Sequence, residues 1–133
     1  MIILDASVLI AHLEATDPFH EQATRLLSSV ADQELAASAI TVAEVLVGAA
    51  RAGQLNRTVG LLDQLQVRTL PLSESIPPRL AALRSETLLK LPDCCALLAA
   101  DQAQGTSALA SFDNRLRSAA RSRGMKVLPD EDV

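Results

Sequence analysis

Five short apolar runs, each separated from the next by helical stretches, constrain this chain more than any other feature. Met1–Leu4 reads as a buried strand. Glu34–Ser38, Val67–Leu70, Ser107–Ser111 and Lys126–Leu128 read as four more. Runs this short and this apolar suit strands buried on both faces, as when helices cover a parallel sheet. The intervening pattern predicts helices over Ser7–Ala15, from Pro18 to about Ala31 with Asp17 as N-cap, and from about Val42 to Arg51. It predicts others over Leu55–Leu65, over Arg79–Lys90, from Pro92 to near Gly105, and over Asn114–Arg123, stopped by Gly124. The fold class that follows is α/β, with a mostly parallel sheet of about five strands between two helical layers. At 133 residues, without repeats, low-complexity tracts or linkers, residues 1–133 form a single domain.

Against this apolar background four acids stand alone. Asp5 is the only charge in 1–13 with His12 neutral, Glu44 the only one in 35–50, Asp93 in 91–100, and Asp113 in 102–114. Carboxylates set in apolar sequence are rarely buried without a partner. No isolated Lys or Arg matches them, so a divalent metal ion is the expected partner. Net charge is −4, from 12 basic and 16 acidic residues, and setting the four isolated acids aside leaves 12 of each sign. Topology supports their convergence. Asp5 follows the first strand, Asp113 lies two residues past the Ser107–Ser111 strand, and Glu44 sits in the first turns of the helix after the second strand. Asp93 occupies the first turn of the helix entered through Pro92. All four can therefore converge at one edge of the sheet, beyond the carboxyl ends of the strands, where open α/β folds place their sites.

Each acid also has a purely structural reading. Asp5 and Asp113 are placed to cap the helices that follow them. Thr41 and Glu44 match a capping box, and Asp93 suits the positive end of a helix dipole. Capping does not, however, require four acids to be stripped of charged neighbours and directed at one edge. Oxygen donors select hard cations such as Mg²⁺ and Mn²⁺. An ion held there acidifies a bound water and offsets the charge that builds during phosphodiester hydrolysis.

Other residues narrow the class. Two Phe and no Trp or Tyr exclude a nucleic-acid binder built on aromatic platforms. The acidic balance excludes a general polyanion binder. Cys94 and Cys95 are adjacent, which suits small buried thiols in a reducing cytoplasm rather than a disulfide framework or zinc site. His12 and His20 read as ordinary helix residues. Met1–Leu4 is too short for a signal peptide, and no uncharged apolar run reaches membrane-spanning length, so a cytoplasmic protein with no membrane partner is expected.

The contexts of the four acids resemble the motifs of PIN-domain ribonucleases, especially the VapC-type toxins of bacterial toxin–antitoxin pairs. Ile3–Ile10 resembles the opening motif, Ala39–Arg51 the second, Leu91–Ala100 the third and Ala108–Asp113 the fourth, in family order across nearly the whole chain. The resemblance implies a PIN-like three-layer α/β/α sandwich. It implies that Asp5, Glu44, Asp93 and Asp113 form the metal and catalytic site, with Mg²⁺ or Mn²⁺ as cofactor. It further implies endonucleolytic cleavage of RNA, neutralisation by a cognate small antitoxin, and a homodimer. Ala6 stands where Thr is frequent in the family. Ser111 replaces a common Thr but keeps its hydroxyl. Ser7 is the family's first-motif hydroxyl, placed to orient a ligand or phosphate, and it reads equally as a helix N-cap.

Arg51, Lys90, Arg115 and Arg117 lie close to the acids in sequence or on a shared helix face, and are candidates for gripping RNA phosphates. Arg121 and Arg123 sit near a helix C-terminus, where cations are favoured anyway. A phospho-acceptor receiver domain would need paired acids after strand one, an acceptor Asp after the third strand and a Lys after the fifth, and none is present. A dehalogenase-type phosphatase would need an Asp where Ser7 stands. The remaining alternative is a catalytically silent binding module or co-repressor that serves an antitoxin partner.

Overall fold

The first strand, β1 (Ile2–Leu4), is buried throughout, and the fold is built outward from it. In a computed structural model that describes residues 1–102 and 107–131, the chain continues through α1 (Ala6–Leu13), α2 (His20–Ser29), β2 (Leu35–Ser38), α3 (Ala39–Arg51) and α4 (Leu55–Gln64). It then forms β3 (Val67–Leu70), α5 (Ile76–Thr87), α6 (Leu91–Gln102), β4 (Ala108–Ala110), α7 (Asn114–Ser122) and β5 (Lys126–Leu128). The five strands make one sheet in the order β3-β2-β1-β4-β5, and every neighbouring pair is parallel.

Strand periodicity divides the core into two layers. Ile2 and Leu4 face one side with Leu35, Ala37, Ala108 and Ala110, under apolar residues of α1, α2, α3 and α4. Ile3 faces the other with Ala36, Leu109 and Val127, under α5, α6 and α7. The expected three-layer architecture is thus present. The buried run Cys94–Ala100 makes α6 the central helix of its layer. Both cysteines are free and buried.

Several boundaries differ from the sequence expectation. Helix α3 begins at Ala39 rather than Val42, because Ser38, not Thr41, is its N-cap: the Ser38 Oγ accepts the Thr41 amide at 3.2 Å. No capping box forms around Glu44, which lies a turn deeper in the helix. Helix α5 starts at Ile76 and takes Pro77 and Pro78 into its first turn, where no amide hydrogen is needed. It stops at Thr87, with Leu88 left-handed at φ 60°. Helix α2 starts at His20, because the Asp17 carboxylate accepts the Phe19 amide at 2.8 Å in a turn before it. The expected end of α6 near Gly105 lies outside the described residues.

The topology fixes one working edge. From β1 the chain moves through α1 and α2 to β2 and β3 on one side. From β3 it crosses back through α5 and α6 to β4 on the other side of β1. The order therefore reverses between β1 and β4, and the crevice beyond their carboxyl ends opens there. Asp5 and Ser111 are the first residues past those two strands.

Candidate active site

Asp5 leaves β1 with its amide bonded to the Ala110 carbonyl at 3.0 Å, so its backbone is still part of the sheet. It occupies the N-cap position of α1, but its side chain caps nothing. Instead Oδ2 accepts from the Ser7 hydroxyl at 2.8 Å and the Ser111 hydroxyl at 2.9 Å. Each serine is held in turn by a backbone amide: Ser7 Oγ accepts from Phe112 at 3.0 Å, and Ser111 Oγ accepts from Asp113 at 3.0 Å. The carboxylate, 6 % exposed, is thus locked to the loop after β4. Ser7 serves neither as an N-cap nor as a free hydroxyl, and among the described residues no hydrogen bond reaches Oδ1 of Asp5.

Asp113 combines the two sequence readings. Its Oδ1 caps α7, accepting from the amides of Arg115 at 2.9 Å and Leu116 at 3.2 Å. Glu44 is exposed on α3. Partial loss of water raises its pKa above the usual carboxylate range, the negative charge of Asp5 adds to this, and Lys90 opposes it. Asp93, half-buried in the first turn of α6, is pushed up to about 6. Burial is the main cause. Repulsion from Asp5, Asp113 and Glu44 follows, with Lys90 again opposing. The structure therefore brings all four isolated acids into one electrostatic neighbourhood, from four different elements. Among the described residues none of them is ion-paired; the salt bridge found there joins Arg123 to Asp101 at 3.1 Å.

Among the described residues, no three His, Cys, Asp or Glu side chains form a ready-made metal cage. A hard cation that keeps most of its water needs only one or two direct carboxylates. The all-oxygen donor set suits such an ion, and so does the excess of negative charge around Asp93. The acids fit the group on chemistry.

Of the four basic candidates, Lys90 is exposed and close enough for its charge to act on Glu44 and Asp93. Arg51 and Arg115 are exposed. Arg117 does not belong with them. It is 1 % exposed, and its guanidinium donates to backbone carbonyls, so it cannot reach a phosphate. Its spacing of four residues from Asp113 predicted proximity correctly, but amphipathic patterning gave no sign of a buried cation. The two histidines clasp α1 to the start of α2: Nδ1 of His12 meets Thr24 Oγ1 at 3.0 Å, and Nδ1 of His20 meets the Ala11 carbonyl at 2.8 Å. Beside Glu44 lies a groove of about 170 Å³, lined among others by Ile10, Val45, Gly48, Ala49 and Arg57.

Fold and site together define an open parallel α/β domain with a group of acids at the switch in strand order. The chain belongs to the PIN-domain family, whose model matches residues 2–122. Over the full length of both chains it is similar to a protein of a toxin–antitoxin complex from Klebsiella pneumoniae, at 26% identity and a TM-score of 0.72. It is equally similar to a chain of FitAcB from Neisseria gonorrhoeae, at 26% identity, 98% coverage of each chain and a TM-score of 0.71. VapC20 of Mycobacterium tuberculosis, a toxin that cleaves the sarcin–ricin loop, shares the fold: 19% identity, 90% of this chain, 95% of that one, and a TM-score of 0.73. No curated protein matches the chain significantly. No described helix is long and apolar enough to cross a membrane.

Proposed function

We propose that this chain is a VapC-type toxin, a divalent-metal-dependent endoribonuclease neutralised by a cognate small antitoxin. Asp5, Glu44, Asp93 and Asp113 are its metal-binding and catalytic residues. The observation that carries the reading is the electrostatic convergence on Asp93: three acids from three other elements act on one half-buried carboxyl, and only Lys90 opposes them. A fold does not collect uncompensated charge at its switch point for stability.

When bound, Mg²⁺ or Mn²⁺ supplies an acidified water as nucleophile and offsets charge on the phosphorane and the leaving oxygen. The protein's own groups prepare the site. Ser7 and Ser111 hold Asp5 in one orientation, so its ordering precedes ligand binding. Asp113 is fixed by the two amides it caps. Asp93, with its pKa near 6, is charged and ready to ligate above that pH. Lys90, Arg51 and Arg115 are exposed and are the candidates for gripping RNA phosphates near the acids. The two 26% identical neighbours, one of them a toxin–antitoxin complex, support an antitoxin partner. The groove beside Glu44 gives that partner an apolar seat that Glu14 and Glu44 also line, suited to a basic side chain. Leu88 and Leu91, 76 % and 48 % exposed, offer apolar surface to a second copy in a homodimer.

The test is incubation of purified, antitoxin-free protein with total RNA and Mn²⁺ or Mg²⁺, beside Asp93→Asn and an EDTA control. Discrete cuts that need both metal and Asp93 are expected. Metal binding by calorimetry without any cut would point to a narrow substrate absent from the sample. Loss of both would replace this reading with the silent binding module.

A further inference from the structure

Arg117 is the only fully buried Lys or Arg among the described residues. Burying a guanidinium is costly unless its donors are met. Here Nη1 donates to the carbonyls of Ser111 at 2.8 Å and Leu128 at 3.1 Å, and Nη2 to those of Pro129 at 2.7 Å and Glu131 at 2.9 Å. These acceptors lie on two separate segments, the exit of β4 and the last residue of β5 with the chain that follows it. The Ser111 amide also bonds the Leu128 carbonyl, at 3.1 Å. All of the polar atoms of Ser111 are therefore committed. The amide and carbonyl are tied to the 128–131 segment and to Arg117, while the hydroxyl bridges Asp5 Oδ2 and the Asp113 amide.

We propose that Arg117 is a positioning residue of the acidic site: by clamping the Ser111 carbonyl to the 128–131 segment, it sets the hydroxyl that fixes Asp5 relative to Asp113. The proposal rests on the four-acid reading of the site. The geometry explains why the residue is Arg. A planar fork spans four acceptors on two segments, and the point charge of Lys does not. A residue needed only to fill the space under α7 would be apolar. This one ends its bonds on the backbone of the serine that touches Asp5, and its own amide is bonded to the Asp113 carbonyl at 2.9 Å.

The experiment compares wild type with Arg117→Lys and with Leu27→Ala, a core change on α2 that lowers stability away from the acids. All are measured under conditions where each is fully folded. Amide hydrogen exchange is recorded on metal-free protein, Mn²⁺ affinity by calorimetry, and RNA cleavage as separate kcat and KM. For Arg117→Lys, the Phe112 and Asp113 amides are expected to exchange faster relative to Leu109 and Ala110. Mn²⁺ affinity falls about 10-fold, and kcat drops while KM for RNA holds. Leu27→Ala shifts the melting temperature and none of these. Arg117→Gln, which keeps a neutral donor but loses the charged fork, shows the same changes and carries the test if Arg117→Lys does not fold. Wild-type exchange and Mn²⁺ affinity in the variants would overturn the proposal. Wild-type protein that neither binds Mn²⁺ nor cuts RNA sinks the metal reading instead, and the exchange pattern still decides whether the clamp orders the Asp5–Ser111–Asp113 network.

Discussion

Arg117 and Asp93 are two charges drawn at least partly out of water at the same edge of the sheet, and the fold treats them in opposite ways. Arg117 is 1 % exposed and donates to four carbonyls at 2.7–3.1 Å. Asp93 is half-buried, accepts no hydrogen bond on its carboxyl among the described residues, and faces three like charges. Desolvating a charge costs free energy unless hydrogen bonds and opposite charge offset it. Arg117 is offset within the fold. Asp93 is opposed by three acids and offset only by the charge of Lys90. On the proposed reading, the difference separates a charge that holds the structure from one held ready for a ligand, although both lie near the same edge of the sheet.

The comparison predicts opposite signs on substitution. The largest effect is expected for Arg117→Ala, which strands several buried carbonyls and opens a cavity under α7. A loss of about 3 kcal/mol in urea-denaturation stability follows, and a loss below about 1 kcal/mol would break the claim that Arg117 is structurally saturated. Ser38 provides a neutral case between the two charges. It is buried, accepts the Thr41 amide and donates to the Thr41 hydroxyl, both at 3.2 Å. Ser38→Ala removes the N-cap of α3 and should cost about 1 kcal/mol by the same assay. An unchanged midpoint would mean that another group satisfies the Thr41 amide.

The strands and the acids were legible because each rests on a local signal. Met1–Leu4 and Lys126–Leu128 announce strands by apolar runs between helical patterns, and Asp5, Glu44, Asp93 and Asp113 stand out as lone charges among apolar neighbours, although only Asp5 is buried, Asp93 is half-buried, and Glu44 and Asp113 are exposed. What escaped depends on contacts remote in sequence. Arg117 looks like a solvated residue of a polar helix until β5 and its tail bring the carbonyls of Leu128, Pro129 and Glu131 around it. Ser7 and Ser111 lie 104 positions apart and meet only because β1 and β4 are neighbours. Pro77 and Pro78 looked like punctuation. They fit the first turn of α5, where their missing amide hydrogens cost nothing. Thr41 and Glu44 satisfied a capping pattern that Ser38, three residues earlier, had already taken.

The smallest effect is also the sharpest, because it should stabilise. The Asp93 carboxyl titrates near 6 in the folded protein against 3.8 for its ordinary value. Between those values the folded state binds more protons than the unfolded state, so stability falls as pH rises through the window and stays lowered above it. Asn cannot ionise, so metal-free Asp93→Asn should match wild type near pH 4 and melt higher at pH 7. Because Asp93 is only half-buried, water screens the repulsion, and a rise of about 2–4 °C is expected. Saturating Mn²⁺ should reverse the order. The ion needs deprotonated ligands and stabilises only the state that binds it, so wild type gains thermal stability above pH 6 and the variant gains little. If metal-free Asp93→Asn melts lower than wild type at pH 7, Asp93 is a structural residue after all, and its contrast with Arg117 disappears.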